Sequence, residues 1–338
     1  MIGSATRFVA GIAGGVLGAA ALWGATAASA GDLKLRLEWT PIAIHSWYFL
    51  ALDKGWYKEE GVNLTIEPGA GSVNTTQVVA AGSHDVGQAG QATMAAGRQQ
   101  GLPVKAIGAL IRKNEMGILI PKDSPHKSVK DLVDNNVKIV TSPGSFEIPF
   151  LEPWFKLAGT DFKKANMMYV DAKLKTSTYL TGEAGAVSTS PATMRSLFEA
   201  QRPSKFMLMS EVGMNVPGTG IIANENAIKN KAQDIRGFLK ATYRAFDHIV
   251  GKKNYEEAYE TLIRMRPEAK IPKEVMLGQF RDHETFWVTD ATKGKPWGYM
   301  APADWDEAIK NLKLAGSVAA DAKATDFYTN DLLPAVTN

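Results

Sequence analysis

The sequence contains no cysteine among its 338 residues. Disulfide bonds, thiolate metal sites and cysteine nucleophiles are therefore all excluded. The lipid-modified cysteine that tethers some exported proteins to a membrane is excluded as well. Any catalytic, metal-binding or anchoring role would have to use other residue types.

The net charge is also small, and the common catalytic motifs are absent. The sequence has 38 Lys and Arg against 35 Asp and Glu, a formal net charge of +3, and no basic run that would indicate a nucleic-acid partner. The patterns GxSxG and HExxH are absent, as is a GxGxxG after a predicted strand. The five histidines show no metal-ligand spacing. We therefore predict no catalytic residues, no cofactor and no metal site.

Long apolar segments are confined to the N-terminus. Arg7 precedes a small and apolar run at 8–24, and residues 28–30 read Ala-Ser-Ala, which is typical of a cleavage site. Five glycines interrupt the run, which favours a removed signal over a spanning helix of about 20 apolar residues. We predict that residues 1–30 are a signal peptide cleaved after Ala30 and that the mature protein is periplasmic. The roughly 308 residues that remain suit two domains.

Beyond residue 30, strand patterns alternate with helical patterns. Residues 33–39 alternate apolar and charged side chains, as a half-buried strand does, and residues 45–60 form a helical stretch closed by Gly61. Further strands are predicted at 63–67, 85–88 and 103–110, and further helices at 74–81 and 92–100. Strands that alternate with helices through short glycine-rich turns predict a parallel, layered α/β sheet.

The same alternation begins again at residue 117 and predicts a second α/β unit. Residues 82–94 and 182–194 share Gly and Ala-Thr-Met at matching offsets, which suggests that the two units are similar. Strands are expected at 117–121, 138–141 and 166–170, and helices at 128–133 and 149–157.

The last third of the sequence contains one predicted strand, 220–224, and long helices at 231–251, 255–264 and 302–315. We expect this part to return to the first unit. Residues 31–117 and 220–338 would then form one lobe and residues 118–219 the other. Two crossings between the lobes, near 116–121 and 216–222, would form a hinge beside a cleft.

In open α/β sheets, ligands bind beyond the carboxyl ends of the strands, where loops and helix N-termini offer free N–H groups. This rule selects five candidate loops. They are residues 39–45, 69–74, 88–91, 142–147 and 188–190.

Aromatic residues stand in two of these loops. Trp39 ends a predicted strand before Thr40, where stacking on a planar or cationic ligand and packing in the core are equally expected. In the loop 142–147, Phe146 and Glu147 offer a stacking face and a carboxylate.

The other loops are rich in small residues. Gly69-Ala-Gly71-Ser72 suits an anion cradle in which Ser72 caps the following helix, and a plain tight turn is an equal alternative. Ser188-Thr-Ser190 stands before Pro191, which suits helix capping, with a ligand contact as the alternative.

Several motifs follow one another in a specific order along the chain. They are Leu37-Glu-Trp-Thr-Pro41, His45, Lys54-Gly-Trp-Tyr-Lys-Glu-Glu-Gly61, Ala80-Ala-Gly82 with Asp85-Val-Gly87, and Arg98 with Gly101-Leu-Pro-Val104. Together they resemble the solute-binding proteins of ABC importers for the thiamine pyrimidine precursor, riboflavin, nitrate, sulfonates and taurine. The resemblance implies a two-lobed type II periplasmic-binding fold, with two hinge crossings, that closes on one small molecule.

Within that family, Trp39-Thr-Pro followed by His45 resembles the branch for the thiamine pyrimidine precursor, in which an aromatic ring is stacked and hydrogen bonded. The resemblance implies ligand contacts by Trp39, His45, Tyr48 and the loop 144–147.

The sequence departs from that branch at two positions. Ile42 stands where the branch usually has a polar residue, often asparagine, and Gly185 replaces an acidic residue. A related fungal enzyme makes the pyrimidine from its own histidine and uses a cysteine cluster with iron. This sequence has no cysteine that could form such a cluster, and it has an export signal. Both features set it apart from that enzyme.

The sequence therefore predicts a periplasmic binding protein, not an enzyme, that captures a small planar or nitrogen-containing solute for a membrane permease. One alternative is a binder of a small anion, such as an aliphatic sulfonate, taurine or nitrate, through residues 69–72 and 142–145. The other is a periplasmic enzyme on the same scaffold. The residues expected to contact the solute are Trp39, Thr40, His45, Tyr48, Gly71, Ser72, Gln88, Ser142, Gly144, Phe146, Glu147 and Ser188.

Overall fold

The computed structural model describes residues 1–6 and 30–334 of the chain. Residues 7–29 of the predicted signal peptide, which include its apolar run, therefore lie outside the described residues. No helix in the described ranges is long and apolar enough to cross a membrane.

Strands and helices alternate along most of the described chain. The strands are β1 (Gly31–Arg36), β2 (Val62–Glu67), β3 (Val86–Gly90), β4 (Val104–Ala109), β5 (Gly117–Pro121), β6 (Ile139–Thr141), β7 (Met167–Tyr169), β8 (Ala186–Thr189), β9 (Ser204–Leu208) and β10 (Thr219–Asn224). The helices of the first half are α1 (Ser46–Asp53), α2 (Trp56–Glu59), α3 (Ser72–Ala80), α4 (Gln91–Gln99), α5 (Val129–Asp134) and α6 (Leu151–Leu157). Those of the second half are α7 (Ala172–Leu180), α8 (Pro191–Phe198), α9 (Glu225–Asn230), α10 (Ala232–Phe246), α11 (Tyr255–Met265), α12 (Lys273–His283) and α13 (Pro302–Leu314).

The strands form two five-stranded sheets with the same plan. The first has the order β2-β1-β3-β10-β4 and the second the order β7-β6-β8-β5-β9. The chain therefore passes between the sheets twice, between β4 and β5 and between β9 and β10. This confirms the predicted α/β fold with two lobes and two crossings.

The prediction of parallel sheets is wrong, because each sheet contains one antiparallel strand. β10 runs antiparallel to β3 and β4, and β5 runs antiparallel to β8 and β9. Each of these two strands is the first after a crossing. It enters its sheet from the side of the other lobe, where the parallel strands end, and so it must run in the opposite direction.

The residues that 82–94 and 182–194 share at matching offsets reflect a structural repeat. Gly82 and Gly182 both take a left-handed conformation, with φ of +76° and +83°, just after α3 and α7. Four residues later β3 and β8 begin, and α4 and α8 follow directly after these strands. Helix, glycine turn, strand and helix are thus repeated at equivalent places in the two lobes.

Residues 45–60 do not form one helix, contrary to the prediction. α1 ends at Asp53 and α2 begins at Trp56, because Gly55 between them has a φ of +74°. A left-handed residue ends an α-helix, and glycine takes this conformation without steric cost. Gly61, with a φ of +70°, follows α2 and leads the chain into β2.

The side chains of α1 pack in the core of the first lobe. Trp47 and Tyr48 are fully buried. Trp47 packs on Phe246 of α10 with ring centroids 4.9 Å apart, and Tyr48 stacks on Phe238 of the same helix at 6.1 Å. These contacts fix α1 against α10 and so anchor the loop between β1 and α1.

Two helices beside the cleft were not predicted, α7 and α12. α7 has a run of Thr-Ser-Thr at 176–178, which lowers its helix propensity, and a charged residue, Lys175, at a buried position. Its pattern therefore does not show the apolar stripe by which helices are recognised.

Candidate functional site

A cleft lies between the two lobes, with about 600 Å³ of empty space that is partly open to solvent. Its walls come from the loops after β1 and β6, from α3, α7 and α8, and from the residues at the two crossings. Small-molecule sites often lie at such a boundary between two lobes. The lining residues are Glu38, Trp39, Ile42, Ile44, Gly71, Ser72, Glu115, Ser145, Phe146, Lys175, Thr176, Thr189, Ser190, Thr193, Met194 and Thr219.

Four of the predicted contact residues lie on this wall: Trp39, Gly71, Ser72 and Phe146. The two aromatic residues are half-buried and come from opposite lobes. Trp39 follows β1 and Phe146 follows β6, strands that hold the same place in the two sheet orders. Each lobe thus contributes one aromatic side chain to the cleft.

The other predicted residues do not line the cleft. Thr40 is exposed, and the remaining side chains lie behind the wall or in the core. These residues are Thr40, His45, Tyr48, Gln88, Ser142, Gly144, Glu147 and Ser188.

The placement of Tyr48 contradicts its prediction as a contact residue. Its side chain packs in the first-lobe core against Phe238, and its hydroxyl is buried without a hydrogen-bond partner in the described structure. Burial raises the pKa of the Tyr48 phenol well above its usual range. Because α1 turns this position toward α10, Tyr48 supports the fold and does not face the solute.

His45 and Gln88 act on the cleft through Glu38. The Nε2 atom of His45 lies 3.1 Å from both carboxylate oxygens of Glu38. Gln88 donates from its Nε2 to Oε1 of Glu38 at 3.1 Å and to the carbonyl oxygen of Ile44 at the same distance. Both side chains are fully buried, so they position a carboxylate that the cleft exposes.

The second lobe contributes Lys175, which is buried on the cleft wall. Its ammonium group donates to Ser145 Oγ at 2.9 Å and to the carbonyl oxygen of Ser188 at 3.2 Å, and it lies 3.5 Å from Glu147 Oε1. It also lies 5.9 Å from the ring centre of Trp39, across the cleft. The three ammonium hydrogens therefore all have acceptors within the protein.

Glu115, at the first crossing, joins several elements. Its Oε1 accepts from Thr219 at 3.0 Å, and its Oε2 accepts from Ser190 at 2.5 Å. His283 at the end of α12 places Nε2 3.1 Å from the same Oε2. The carboxylate thus links both crossings, α8 and α12 at the base of the cleft.

The two lobes touch across the cleft. A Cβ atom added at Gly71 would overlap the carbonyl oxygen of Gly144, and one added at Gly144 would lie 2.9 Å from the carbonyl oxygen of Ala70. The hydroxyl of Thr93 donates to the carbonyl oxygen of Phe146 at 2.7 Å. Gly71 and Gly144 therefore permit a direct backbone contact between the lobes, and the structure is a closed one.

The two predicted helix caps have different outcomes. Ser190 is the N-cap of α8 and accepts from the backbone N–H of Thr193 at 3.3 Å, which confirms that prediction. Ser72 is not a cap, because Gly71 holds the N-cap position and Ser72 Oγ accepts from the backbone N–H of Gly90 at 2.9 Å. Ser72 instead ties α3 to the end of β3.

Glu38, Glu115 and Lys175 were missed as lining residues. Glu38 had a signal, since it immediately precedes Trp39 in a loop that was selected as a candidate. Glu115 follows β4 at a crossing, and Lys175 lies on an unpredicted helix, so neither could be placed without the tertiary structure. No group of three or more histidine or acidic side chains that could hold a metal ion occurs in the described ranges.

Comparisons with known proteins agree with this architecture. A family model described as NMT1/THI5 like matches residues 43–254. The chain is similar to a formylaminopyrimidine-binding protein of Halalkalibacterium halodurans, with 21% identity over 88% of this chain and 89% of that protein. It is also similar to a 4-amino-5-hydroxymethyl-2-methylpyrimidine phosphate synthase of Legionella pneumophila, with 23% identity over 89% of this chain and 92% of that protein.

Among solved structures, the periplasmic nitrate-binding protein NrtA from Synechocystis PCC 6803 is similar with a TM-score of 0.69. The two share 14% identity, over 89% of this chain and 86% of that one. A likeness at this identity supports the fold, which is that of periplasmic binding proteins, and leaves the ligand to be argued from the cleft.

Proposed function

The chain belongs to the NMT1/THI5-like family, and from this premise we propose that it is a periplasmic solute-binding protein of an ABC importer. It would capture a small planar, nitrogen-containing solute between its lobes and present it to a membrane permease. The observation that carries the proposal is the cleft between the lobes, to which Trp39 and Phe146 contribute one aromatic ring each.

A planar solute suits this cleft because aromatic rings stack on flat ligands, with a gain of about 0.5–1.5 kcal/mol per ring beyond the burial of area. Ile42 and Ile44 add apolar surface to the same wall. Polar contacts remain for the edge of the ring, from hydroxyl groups on both lobes. A nitrogen heterocycle, as named for the relative from Halalkalibacterium halodurans, combines these properties.

The small-anion alternative has less support from the cleft. The lining contains two carboxylates, Glu38 and Glu115, and one ammonium group, Lys175. Since all three hydrogens of that ammonium group have acceptors in the protein, no charged donor is left for a nitrate or a sulfonate.

Binding without turnover is also part of the proposal. Some relatives are named as synthases, so family membership alone does not decide between an enzyme and a binding protein. The acidic and basic groups of this cleft are held in mutual hydrogen bonds, which suits the recognition of a solute more than proton transfer to it.

The proposal is tested with the mature protein from residue 31, refolded from denaturant so that no solute is carried over. Thermal unfolding is followed with 4-amino-5-hydroxymethyl-2-methylpyrimidine, a formylaminopyrimidine, riboflavin, taurine, an alkanesulfonate and nitrate. We expect a pyrimidine to raise the melting temperature, since a ligand that binds only the folded state stabilises it. Stabilisation by nitrate or sulfonates alone would refute the planar solute, and conversion of any compound would show an enzyme.

Calorimetry on any stabilising solute then tests the aromatic wall. We expect Trp39→Ala to weaken binding by about tenfold or more, and Trp39→Phe to retain most of it. Trp56→Ala is a matched control, because Trp56 lies outside the cleft and packs on Arg244 at 4.1 Å. Equal losses in the variants at 39 and 56 would contradict the stacking role. Export is checked separately by the mass of the mature protein, which should begin at Gly31.

A further inference from the structure

Two lining carboxylates of the cleft each pair with a buried histidine behind the wall, Glu38 with His45 and Glu115 with His283. The hydrogen bonds of the two pairs assign different charges to them. An imidazole nitrogen that faces a backbone N–H must accept, and one that faces a carbonyl oxygen must carry a hydrogen. The partner of each Nδ1 atom therefore decides what the Nε2 atom can do.

In the first pair, the backbone N–H of Ile42 donates to Nδ1 of His45 at 3.1 Å. Nδ1 is thus the acceptor, and the ring hydrogen is on Nε2, which lies 3.1 Å from both oxygens of Glu38. His45 is a neutral imidazole that donates to an ionised carboxylate. The pair as a whole carries one negative charge.

In the second pair, Nδ1 of His283 lies 2.7 Å from the carbonyl oxygen of Gln279 and must therefore carry a hydrogen. Its Nε2 lies 3.3 Å from the hydroxyl of Thr193 and 3.1 Å from Glu115 Oε2. Whatever the hydroxyl does, a bare Nε2 lone pair would face a carboxylate lone pair at 3.1 Å, and the two would repel each other. A second proton therefore lies between these atoms. Whichever atom holds it, the pair carries no net charge.

The third ionised group on the wall is also neutralised by the protein. Lys175 lies 3.5 Å from Glu147, which is fully buried. Of the charged groups that the structure describes on the wall, Glu38 is thus the one whose charge is not balanced by a neighbour. Its side chain is 12% exposed. Oε2 of Glu38 accepts from His45 alone, whereas Oε1 also accepts from Gln88, so Oε2 keeps a free lone pair.

We propose that the cleft selects a planar solute with a single positive charge, whose amidine-like N–H edge faces Glu38, the one lining carboxylate in the described structure left without a counter-charge. The ring would lie against Trp39 beside it. This inference rests on the proposed function and names the charge class of its solute. A charge-assisted hydrogen bond is about twice as strong as a neutral one, which makes charge a strong basis for selection.

The ligand test uses three probes of nearly the same shape and different charge: benzamidine, benzamide and benzoate. We expect benzamidine to bind the mature protein about tenfold more tightly than benzamide, and benzoate more weakly than either. Glu38→Gln should abolish the preference for benzamidine. Glu67→Gln, a carboxylate of the same lobe that pairs with Arg36 outside the cleft, should retain it.

Equal affinities for benzamidine and benzamide would overturn the charge selection and leave the proposed function standing. Failure of the three probes and of every solute in the thermal screen would overturn both. A ligand-free measurement keeps the charge assignment testable in either case. In protein labelled with ¹⁵N-histidine at neutral pH, we expect His45 to give the pattern of a neutral ring protonated at Nε2. An imidazolium pattern would refute the proposal, because a protonated His45 would be a counter-charge to Glu38.

Discussion

Replacement of Lys175 by methionine should destabilise the protein strongly, although the residue lies on the wall of a cleft. The ammonium group donates to Ser145 and to the carbonyl oxygen of Ser188, and it is the ionic partner of Glu147. Without it, Glu147 would be a fully buried carboxylate whose remaining partner is the hydroxyl of Thr141 at 3.0 Å. Removal of one member of a buried ion pair costs about 3–5 kcal/mol.

A second substitution separates the charge from the loss of packing. In Lys175→Met with Glu147→Gln, no uncompensated charge remains, and the amide can still accept from Thr141. We expect the double variant to recover about 2 kcal/mol or more of the free energy of unfolding, a coupling expected of groups in contact. Lys130→Met provides the surface comparison, because its i,i+4 pair with Asp134 is exposed to solvent and contributes little to stability.

Urea denaturation followed by circular dichroism measures these differences through the midpoint and slope of each transition. The role of Lys175 as the counter-charge of Glu147 would be refuted if the free energy of unfolding of Lys175→Met lay within about 1 kcal/mol of that of the wild type. It would also be refuted if the double variant were as unstable as the single one, because the loss would then come from packing and not from the charge of Glu147.

Two further substitutions test the closed structure and the corrected role of Tyr48. Gly71→Ala should weaken solute binding by about tenfold, because its Cβ would overlap the carbonyl oxygen of Gly144 and keep the lobes apart. Gly82→Ala, which also has a positive φ but no neighbour within 4 Å of its Cβ, should lower only the free energy of unfolding, by about 1 kcal/mol. Calorimetry that finds equal affinities for the two glycine variants would contradict the role of this contact. Tyr48→Phe should leave affinity unchanged and stability equal or higher, since its buried hydroxyl has no partner, and a tenfold loss of affinity would place the residue at the solute after all.

The order of strands and helices could be predicted from the sequence because it depends on local patterns. β5 was predicted with its observed bounds, since its apolar residues are flanked by Gly117 and Pro121. The direction of β5 in its sheet could not be predicted, because direction depends on where the chain enters the second lobe. The break at Gly55 was missed because a glycine within a helical pattern is compatible with either a weak helix or a stop.

The candidate site was predictable in its loops and less so in its side chains. The rule that ligands bind beyond strand ends selected the loops of Trp39, Gly71 and Phe146, all of which line the cleft. It could not show which side chains of a loop face inward. Lys175 breaks the usual expectation that a lysine on a helix is exposed, and only the tertiary contact with Glu147 explains its burial.

The two lobes repeat the same plan but differ at one equivalent position, and this difference explains why the cleft is asymmetric in charge. Thr75 and Lys175 hold the same position in α3 and α7, three residues after the first residue of each helix. Thr75 donates to the carbonyl oxygen of Leu37 at 2.9 Å, and Lys175 donates to Ser145, so both anchor the loop that follows the equivalent strand. The second lobe does so with an ammonium group, which needs Glu147 as its counter-charge.

That neutralised pair leaves the second lobe without a free charge to offer a solute. In the first lobe the anchor is a neutral hydroxyl, and the loop that it fixes carries Glu38 and Trp39 side by side. On the proposed function, the first lobe therefore recognises the charge and the face of the solute. The second lobe contributes Phe146 and the contact of Gly144 with Gly71, which completes the cleft only when the lobes close.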